Sequence, residues 1–326
     1  GEEISTVCAE GCDFSDLNKA VKATRRHGTI YIKKGTLKTC ALINKPMKII
    51  GELENGTRPH LQGTLCKGKG ALIIESDYVK ISNLEISDIN ANDKNGACIR
   101  LGPGAKNATL NNIYCHDSQN GILAGFKEGT LNVSNSIFER CGFGGRAHGA
   151  YIHIKGDVNF KNVQFISSKG QGHSLKISAK NILIEDSMLV ALNGHNSRGI
   201  DLFGGGNLIV RNSIIQQGPK SDNSDMFGLA MEKKRRRKGP HSVLLENNWF
   251  IFDNQGSQWF NLSTYNKGKL FRGEKLGKIE VYNNKIVGMS NINIEGVIFE
   301  NNEVFENRKE ANLIEFDGTL NSIPIM

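Results

Sequence analysis

Val79-Lys80-Ile81-Ser82-Asn83 opens a short motif that recurs along most of the chain, in which an alternating apolar strand is followed by Asn or Asp. The later copies end at Asn112, Asn135, Asn162, Asp186, Asn212, Asn247, Asn283 and Asn301. The successive spacings along the chain are 29, 23, 27, 24, 26, 35, 36 and 18. Such a recurring interval is typical of one coil of a β-solenoid, and each coil is built from short strands of period two.

Asparagine suits the corner of such a coil for two reasons. It tolerates the left-handed backbone conformation, and its amide can bond to the amide of the next coil. No helical periodicity competes over this stretch, and the Leu-x-x-Leu-x-Leu consensus of leucine-rich repeats is missing. The repeats therefore predict a β-solenoid.

The N-terminal segment fits one end of such a solenoid. Residues 16–23 are predicted to form a short amphipathic helix with an acidic first turn. Strands are predicted at Thr29–Ile32 and Met47–Gly51, with a turn at Lys34-Gly35. A helix over the open end of a β-helix would prevent edge-to-edge pairing, so residues 1–28 are predicted to be a cap.

The helix, "GTIYIKKGT", "KPMKIIGE" and the Asn-punctuated coils together resemble the pectin-lyase-like right-handed β-helix superfamily. The resemblance covers roughly the whole chain. It implies an all-β fold, a single-stranded right-handed parallel β-helix with a short N-terminal capping helix, as one domain over residues 1–326. Two stretches break the period, 219–241 and 253–277, and are predicted to be loop insertions on the binding face.

Most of the net charge of +8 comes from one segment, the run of six basic residues at 233–238. The rest of the chain carries a net charge of only +2. A basic surface favours anionic partners. The run is expected to be a solvated or flexible loop, or else to guide an anionic polymer or nucleic acid. An anionic polysaccharide is the expected partner, nucleic acid is not favoured, and the oligomeric state is left open. No apolar run is long enough to cross a membrane.

Seven cysteines lie within the first 141 residues of the 326-residue chain. We expect one to three disulfides and therefore an oxidising compartment, with buried free thiols as the alternative. Histidines do not stand at metal-ligand spacing from these cysteines, so no metal site is predicted. Gly1-Glu2-Glu3 is how a mature protein would begin, and we expect secretion or periplasmic export with a leader removed.

Four middle strands can be aligned over residues 149–153, 174–178, 199–203 and 228–232. The first three are offset by 25 and 25, and the fourth is offset by 29, which places the additional length in Lys220–Asp225. The inward positions are then apolar throughout: Ala150, Ile152, Leu175, Ile177, Ile200, Leu202, Leu229 and Met231. The outward positions form two columns, with Tyr151, Lys176, Asp201 and Ala230 in one and His153, Ser178, Phe203 and Glu232 in the other.

Because neighbouring coils lie about 4.8 Å apart, the outward residues should form one patch. Three positions before the first column stand His148, His173 and Arg198, again offset by 25. The predicted catalytic residues are His148, Tyr151, His173, Lys176, Arg198 and Asp201, and the predicted substrate-binding residues are Arg146, His153, His195, Glu232 and Trp259. The alternative is structural: Lys176 and Asp201 as a plain cross-strand ion pair, and each histidine as an ordinary hydrogen-bonding residue.

Such a patch suits proton abstraction beside the carboxylate of a uronate polymer. Arg198 with Lys176 could neutralise the carboxylate, His173 or Lys176 could be the base, and Tyr151 or His148 the acid. Elimination would make the protein a polysaccharide lyase, and reprotonation from the other face a uronate C5-epimerase.

Two further functions stay open. A glycoside hydrolase would use Asp201 and Glu232 as its carboxylate pair, and a non-catalytic solenoid would only bind carbohydrate. The Asp-Asp and Arg-Ile-Lys motifs of polygalacturonases and the Asp-Pro-His-Asp motif of alginate epimerases are absent. An acidic cluster like that of calcium-dependent pectate lyases is not evident, so no cofactor is predicted and calcium is not indicated.

Overall fold

The computed structural model describes residues 3–126, 128–223, 225–229, 232, 234–254, 278–289, 297–313 and 316–324, together with the backbone of 258–261. Within this part, the chain winds as a parallel β-helix with three strand-bearing faces. Each strand pairs in parallel with its counterpart one coil later, as Ala150 does with Leu175. This confirms the predicted all-β solenoid.

The strands are labelled in chain order and grouped by face. The first face holds β1 (Ile4–Val7), β2 (Thr29–Ile32), β5 (Met47–Gly51), β16 (Asn181–Glu185), β19 (Asn207–Arg211), β22 (Ser242–Glu246), β25 (Ile279–Tyr282) and β27 (Val297–Glu300). The second face holds β3 (Thr36–Leu37), β6 (His60–Gln62), β17 (Met188–Val190), β20 (Ile214–Gln217), β23 (Trp249–Phe252), β26 (Lys285–Val287) and β28 (Glu303–Phe305). Four long strands cross from the first face to the second: β8 (Val79–Ser87), β10 (Asn107–Ser118), β12 (Thr130–Cys141) and β14 (Asp157–Ile166). The third face holds β4 (Ala41–Ile43), β7 (Gly70–Ile74), β9 (Ala97–Leu101), β11 (Asn120–Ala124), β13 (Ala150–His153), β15 (Leu175–Ser178), β18 (Ile200–Asp201), β21 (Asp225–Gly228) and β24 (Gln258–Asn261).

The recurring Asn or Asp makes the corner between the first and second faces. All nine of these residues have positive φ, between 51° at Asn135 and 61° at Asn83. Their amides bond from coil to coil, as Asn162 Nδ2 donates to Asn135 Oδ1 at 2.9 Å. A second ladder joins the buried Asn248 and Asn284 and the half-buried Asn302. The predicted corner role of the asparagines is confirmed.

Inward residues of all three faces form one continuous apolar core. Its aromatic side chains pack across coils, as Phe138 stacks on Phe165 with ring centroids 5.2 Å apart. A smaller apolar cluster lies outside the second face, where Ile323 and Phe316 cover Val190 and Ile251. The coils therefore gain their stability mainly from burial between successive turns.

Helix α1 (Leu17–Ala23) covers the N-terminal end and buries Leu17, Ala20 and Val21. Asp16 is its N-cap and accepts a hydrogen bond from the Lys19 amide at 3.0 Å. The predicted acidic first turn is wrong: the first turn has no acidic residue, because Asp16 stands outside it as the cap. A short 3₁₀ helix (Leu320–Ser322) lies near the other end.

Three disulfides join Cys8 to Cys12, Cys40 to Cys66 and Cys98 to Cys115, and Cys141 is a buried free thiol. Burial raises the pKa of Cys141 to about 12, so this thiol is unreactive near neutral pH. The expected disulfides are therefore present, and all lie in the N-terminal coils.

Both predicted insertions contain a strand of the third face. Strand β21 lies within 219–241 and β24 within 253–277, so the described part of each stretch includes a strand. In the described part of the chain, no helix is long and apolar enough to cross a membrane.

Candidate functional site

The predicted column of polar residues lies on the third face. Tyr151 pairs with Lys176 across β13 and β15, and Lys176 pairs with Asp201 across β15 and β18. The alternation of apolar and polar residues turns these three side chains outward, while Ala150, Ile152 and Leu175 enter the core. The predicted register of these three coils is confirmed.

The fourth coil differs from the predicted register by two positions. Asp201 pairs with Gly228, whereas the sequence alignment placed Ala230 there. A slip of two keeps every inward position inward, so the apolar pattern could not detect it. A side chain at Gly228 would collide with the site, because its Cβ would lie 2.6 Å from Asp201 Oδ1 and 2.7 Å from Arg198 Cδ.

His148, His173 and Arg198 form a ladder at the corner that enters the third face. The two imidazole rings stack with centroids 4.9 Å apart and planes 10° from parallel. The amide of His173 donates to His148 Nδ1, and the amide of Arg198 donates to His173 Nδ1, each at 2.9 Å. Both Nδ1 atoms are therefore acceptors, and the ring proton of each neutral histidine is on Nε2.

The two histidines differ in what their Nε2 atoms meet. His173 Nε2 lies 3.2 Å from Asp201 Oδ2, so both of its ring nitrogens are engaged. His148 Nε2 is buried without a hydrogen-bond partner among the described residues. Burial, with the nearby charges of His173 and Lys176, lowers the pKa of His148 well below its usual value. His148 is therefore neutral and out of reach of a polymer in solvent.

Asp201 is a buried carboxylate held by cations. Burial alone would raise its pKa, but the hydrogen bond from His173 and the charges of His173, Arg198 and Lys176 outweigh that effect and lower the pKa. Arg198 links it to a second buried carboxylate, because its guanidinium lies 3.9 Å from Asp201 Oδ2 and 3.2 Å from Asp225 Oδ2. Asp225 was not among the predicted residues.

A second group of side chains surrounds Lys176 and Tyr151 on the same face. Lys176 Nζ is 3.6 Å from Glu232 Oε1 and 5.0 Å from the centre of the Tyr151 ring. Arg235 NH1 is 3.6 Å from Glu232 Oε2 and donates a hydrogen bond to the Tyr151 hydroxyl. The Phe203 ring lies beneath both cations, 5.3 Å from Lys176 Nζ and 4.3 Å from Arg235 Cζ. Tyr151 thus lies between two cations that share one carboxylate.

Part of the basic run packs on this face, whereas the sequence predicted a solvated or flexible loop. Arg235 contacts Tyr151, and Arg237 NH1 donates to the carbonyl of Ile154 at 3.3 Å. Together with His153 and Lys155, residues 234–238 line a half-open pocket of about 500 Å³. The exposed His153 ring lies against Phe203, with centroids 5.3 Å apart. The alternative prediction, contact with an anionic polymer, stays a prediction.

Two predicted substrate-binding residues, Arg146 and His195, do not join these groups in the described structure. Arg146 is exposed in a turn closed by the Phe143–Ala147 bridge, and His195 is exposed at the corner preceding β18. The Trp259 side chain lies outside the described residues. Sequence reasoning missed Asp225, Phe203 and Arg235 as partners within the site, although Phe203 stood in the second outward column.

Comparisons with known proteins agree with this architecture. A family model described as a right handed beta helix region matches residues 61–215. No protein with a curated description matches the chain in sequence. Alginate lyase from Paenibacillus sp. str. FPU-7 is 15% identical, with a TM-score of 0.64 over 93% of this chain and 98% of that one.

Two further solved structures resemble the chain at similarly low identity. A rhamnogalacturonan lyase is 13% identical, with a TM-score of 0.56 over 96% of this chain and 91% of that one. The pectin methylesterase from Aspergillus niger is 16% identical, with a TM-score of 0.52 over 80% of this chain and 90% of that one. The chain therefore has a right-handed parallel β-helix fold, which it shares with these solved structures.

Proposed function

We propose that the third face binds an acidic, uronate-containing polysaccharide and cleaves it by β-elimination. The observation that carries this proposal is the Tyr151 hydroxyl, which accepts a hydrogen bond from Arg235 while Lys176 lies over the same ring. A proton-transferring group with cations on two sides is what elimination beside a carboxylate requires. Two of the solved structures of similar fold are an alginate lyase and a rhamnogalacturonan lyase, which supports the same reaction class.

In this reaction a base removes the proton on the carbon α to the uronate carboxylate. The electrons of that C–H bond form a carbon–carbon double bond, and the bond from the β carbon to the glycosidic oxygen breaks. The departing oxygen then takes a proton. Negative charge develops on the uronate carboxylate before the C–O bond breaks, so a cation must contact that carboxylate.

Lys176 and Arg235 are the cations that we assign to the uronate carboxylate. Their side chains are 15% and 33% exposed, and both lie over the Phe203 ring. A uronate carboxylate can replace Glu232 as their partner when substrate enters. Tyr151 is then beside the α carbon and transfers the proton, and Arg235 stabilises the phenolate form of its oxygen.

The inner residues act as positioning groups in this proposal. Arg198, which the sequence suggested as a carboxylate-neutralising residue, is occupied by Asp201 and Asp225. His173 uses both ring nitrogens within the protein, and His148 is only 1% exposed. We therefore assign these residues the task of fixing the Asp201 charge beneath Lys176.

Hydrolysis by Asp201 and Glu232 is a weaker candidate. A hydrolase needs one carboxylic acid that stays protonated, with a raised pKa. The pKa of Asp201 is lowered, and Glu232 is shared by Lys176 and Arg235. Epimerisation would use the same residues as elimination and differs only in where the proton returns, so it is the main alternative.

The surrounding surface supports a polymeric anionic substrate outside the cell. The pocket formed by Lys155 and residues 234–238 continues from Tyr151 by way of His153 and can hold the next uronate. Three disulfides support an oxidising compartment, and hence secretion or periplasmic export.

The test is incubation with a panel of acidic and neutral polysaccharides, with products followed by ultraviolet absorbance and mass. An absorbing product, lighter by one water than the hydrolysed fragment, is the expected result. Cleavage without absorbance would favour the hydrolase instead. Uncleaved polymer that takes up deuterium from solvent would favour the epimerase, and binding without either change would favour a carbohydrate-binding solenoid.

Two variants with matched controls assign the roles. Tyr151→Phe should lower kcat by at least about 100-fold, the lower range for loss of general acid–base catalysis. Tyr282→Phe on the first face is its control and should not change kcat. Lys176→Ala should also abolish turnover, whereas Lys161→Ala, an exposed lysine of the first face, should not. Full activity of Tyr151→Phe would overturn the proposed role of the hydroxyl.

A further inference from the structure

A second cluster of reactive side chains lies on the second face, in the N-terminal coils. His60 on β6, Glu85 on β8 and His116 on β10 stand on three successive strands. One donor atom from each, two imidazole nitrogens and a carboxylate oxygen, lies within 4.8 Å of the other two. Among the described residues, this is the one group of three such side chains whose donors converge in this way.

The spacing of the donors fits a small divalent ion. Glu85 Oε2 lies 2.6 Å from His116 Nε2 and 3.6 Å from His60 Nε2. Tetrahedral zinc with ligand bonds of about 2.0–2.2 Å holds its donor atoms roughly 3.3 Å apart. A shift of about 0.3–0.7 Å at the side-chain ends would bring both separations that involve Glu85 to this value, and the His60 and His116 donors lie within 4.8 Å of each other.

The surroundings orient one ligand as they do in metal proteins. His116 Nδ1 lies 2.6 Å from Asp117 Oδ2, which directs His116 Nε2 towards Glu85. Arg140 fixes that carboxylate with two hydrogen bonds, of 2.9 Å to Oδ1 and 2.8 Å to Oδ2. A carboxylate on the far nitrogen of a metal-binding histidine is a recurrent second layer around zinc.

We propose that His60, Glu85 and His116 form a Zn²⁺ site. Two imidazoles and one carboxylate are a donor set that zinc accepts, with water in the fourth position. The three side chains are between 16% and 27% exposed, so an ion can enter and still be held among protein groups. Calcium is disfavoured because it prefers six to eight oxygen ligands.

The site would tie three successive coils together. Residues 60 and 116 are separated by 56 positions, and the Cys98–Cys115 disulfide joins the coils of Glu85 and His116 on the inner side. The cluster lies on the second face, whereas Tyr151 and Lys176 are on the third, so this proposal is independent of the polysaccharide reaction. We therefore expect zinc to raise the thermal stability of the N-terminal coils.

The experiment titrates the full chain, freed of metal by a chelator, with Zn²⁺ alone in a calorimeter. We expect one Zn²⁺ per chain. His60→Gln and His116→Gln each remove a ligand and should weaken Zn²⁺ binding by at least about tenfold. Asp117→Asn removes the carboxylate that orients His116 and should weaken Zn²⁺ binding by about 10–100-fold. His27→Asn, at an exposed histidine of the N-terminal cap, is the matched control and should bind as the unchanged chain does.

Two further readouts separate the site from unspecific binding and from misfolding. Co²⁺ should give visible bands typical of tetrahedral coordination in the unchanged chain and lose them in His116→Gln. Circular dichroism should show the same β-helix content in every variant. The proposal would be overturned if the unchanged chain did not bind one Zn²⁺ per chain saturably. It would also be overturned if His60→Gln and His116→Gln bound Zn²⁺ as tightly as the unchanged chain does.

Discussion

Replacing Asp201 by asparagine tests whether this buried carboxylate organises the third face. The substitution keeps the shape of the side chain, so it opens no cavity and removes only the charge. The new amide oxygen can still accept the proton of His173 Nε2, but it presents no negative charge to Arg198, whose guanidinium is 3.9 Å from Asp201 Oδ2. We therefore expect the fold to persist with lower stability and much lower activity.

The size of the stability loss follows from two contacts. A hydrogen bond to a charged group contributes about 1.5–3 kcal/mol, against about 0.5–1.5 kcal/mol for a neutral one. The contact with His173 therefore loses about 1–1.5 kcal/mol. Arg198 would still have Asp225 as an ion-pair partner at 3.2 Å, so the loss of its contact with residue 201 should lower the free energy of unfolding only a little further. The expected decrease in the free energy of unfolding near pH 7 is about 1–2 kcal/mol in total.

The loss should depend on pH in one direction. The pKa of Asp201 is lowered in the folded protein, against about 3.9 in an unfolded chain. The charged carboxylate therefore adds stability that is fully present above about pH 4 and disappears as the pH falls through the folded pKa. The difference between the unchanged chain and Asp201→Asn should be constant from about pH 5 to 7 and smaller near pH 3.

Urea unfolding followed by far-ultraviolet circular dichroism, with the disulfides intact, measures this difference at each pH. Asp222→Asn is the matched control, because Asp222 is an exposed aspartate of the loop that precedes β21, and it should change stability little. A loss below about 0.5 kcal/mol near pH 7, or an equal loss near pH 3, would refute the electrostatic account of Asp201.

Two further substitutions probe backbone positions of the same fold. Gly228→Ala places a methyl group 2.6 Å from Asp201 Oδ1. It should therefore lower kcat/KM by at least about tenfold and lower the free energy of unfolding by about 1–3 kcal/mol, because the site becomes overpacked. Gly125→Ala is the control and should change neither quantity, because its methyl group would meet nothing closer than 3.9 Å. Unchanged turnover of Gly228→Ala would show that the site tolerates displacement of that carboxylate. Asp186→Asn places asparagine at a corner with φ of 52°. Its amide can bond to the corner amides of the neighbouring coils, so the urea midpoint of unfolding should rise slightly. A lower midpoint would contradict a stabilising role of the corner asparagine ladder.

The repeats predicted the fold because the corner residue has a backbone requirement that few residues meet. Nine Asn or Asp residues with positive φ mark where the coils turn from β8 onwards, and the strands between them follow from period-two alternation. The error of two positions at β21 arose where a loop of variable length precedes the strand. The alternation of apolar and polar residues determines whether a side chain points into the core or outwards. It does not determine which residue of the next strand is its partner.

The site was predictable where the coils keep a constant length. Tyr151, Lys176 and Asp201 are evenly spaced along the chain, so their pairing could be found from the sequence alone. Arg235 reaches Tyr151 from 84 positions away, through a loop whose path no repeat specifies. The His60, Glu85 and His116 cluster combines strands from three coils with unequal spacings, so it resembles no local motif.

The charged side chains of the third face fall into two groups, one that is paired within the protein and one that we propose binds the substrate. Asp201, Asp225 and His173 are each less than 10% exposed, and their charges or protons are committed to neighbours within the protein. Water cannot reorganise around such groups, so they keep a fixed field that a substrate meets already formed. Among the described residues, Lys176 and Arg235 share Glu232 as an ion-pair partner, and in the proposed reaction a uronate exchanges with that partner. On this proposal, the buried carboxylates fix Arg198 and the charge beneath Lys176, while Lys176 and Arg235 exchange Glu232 for the uronate.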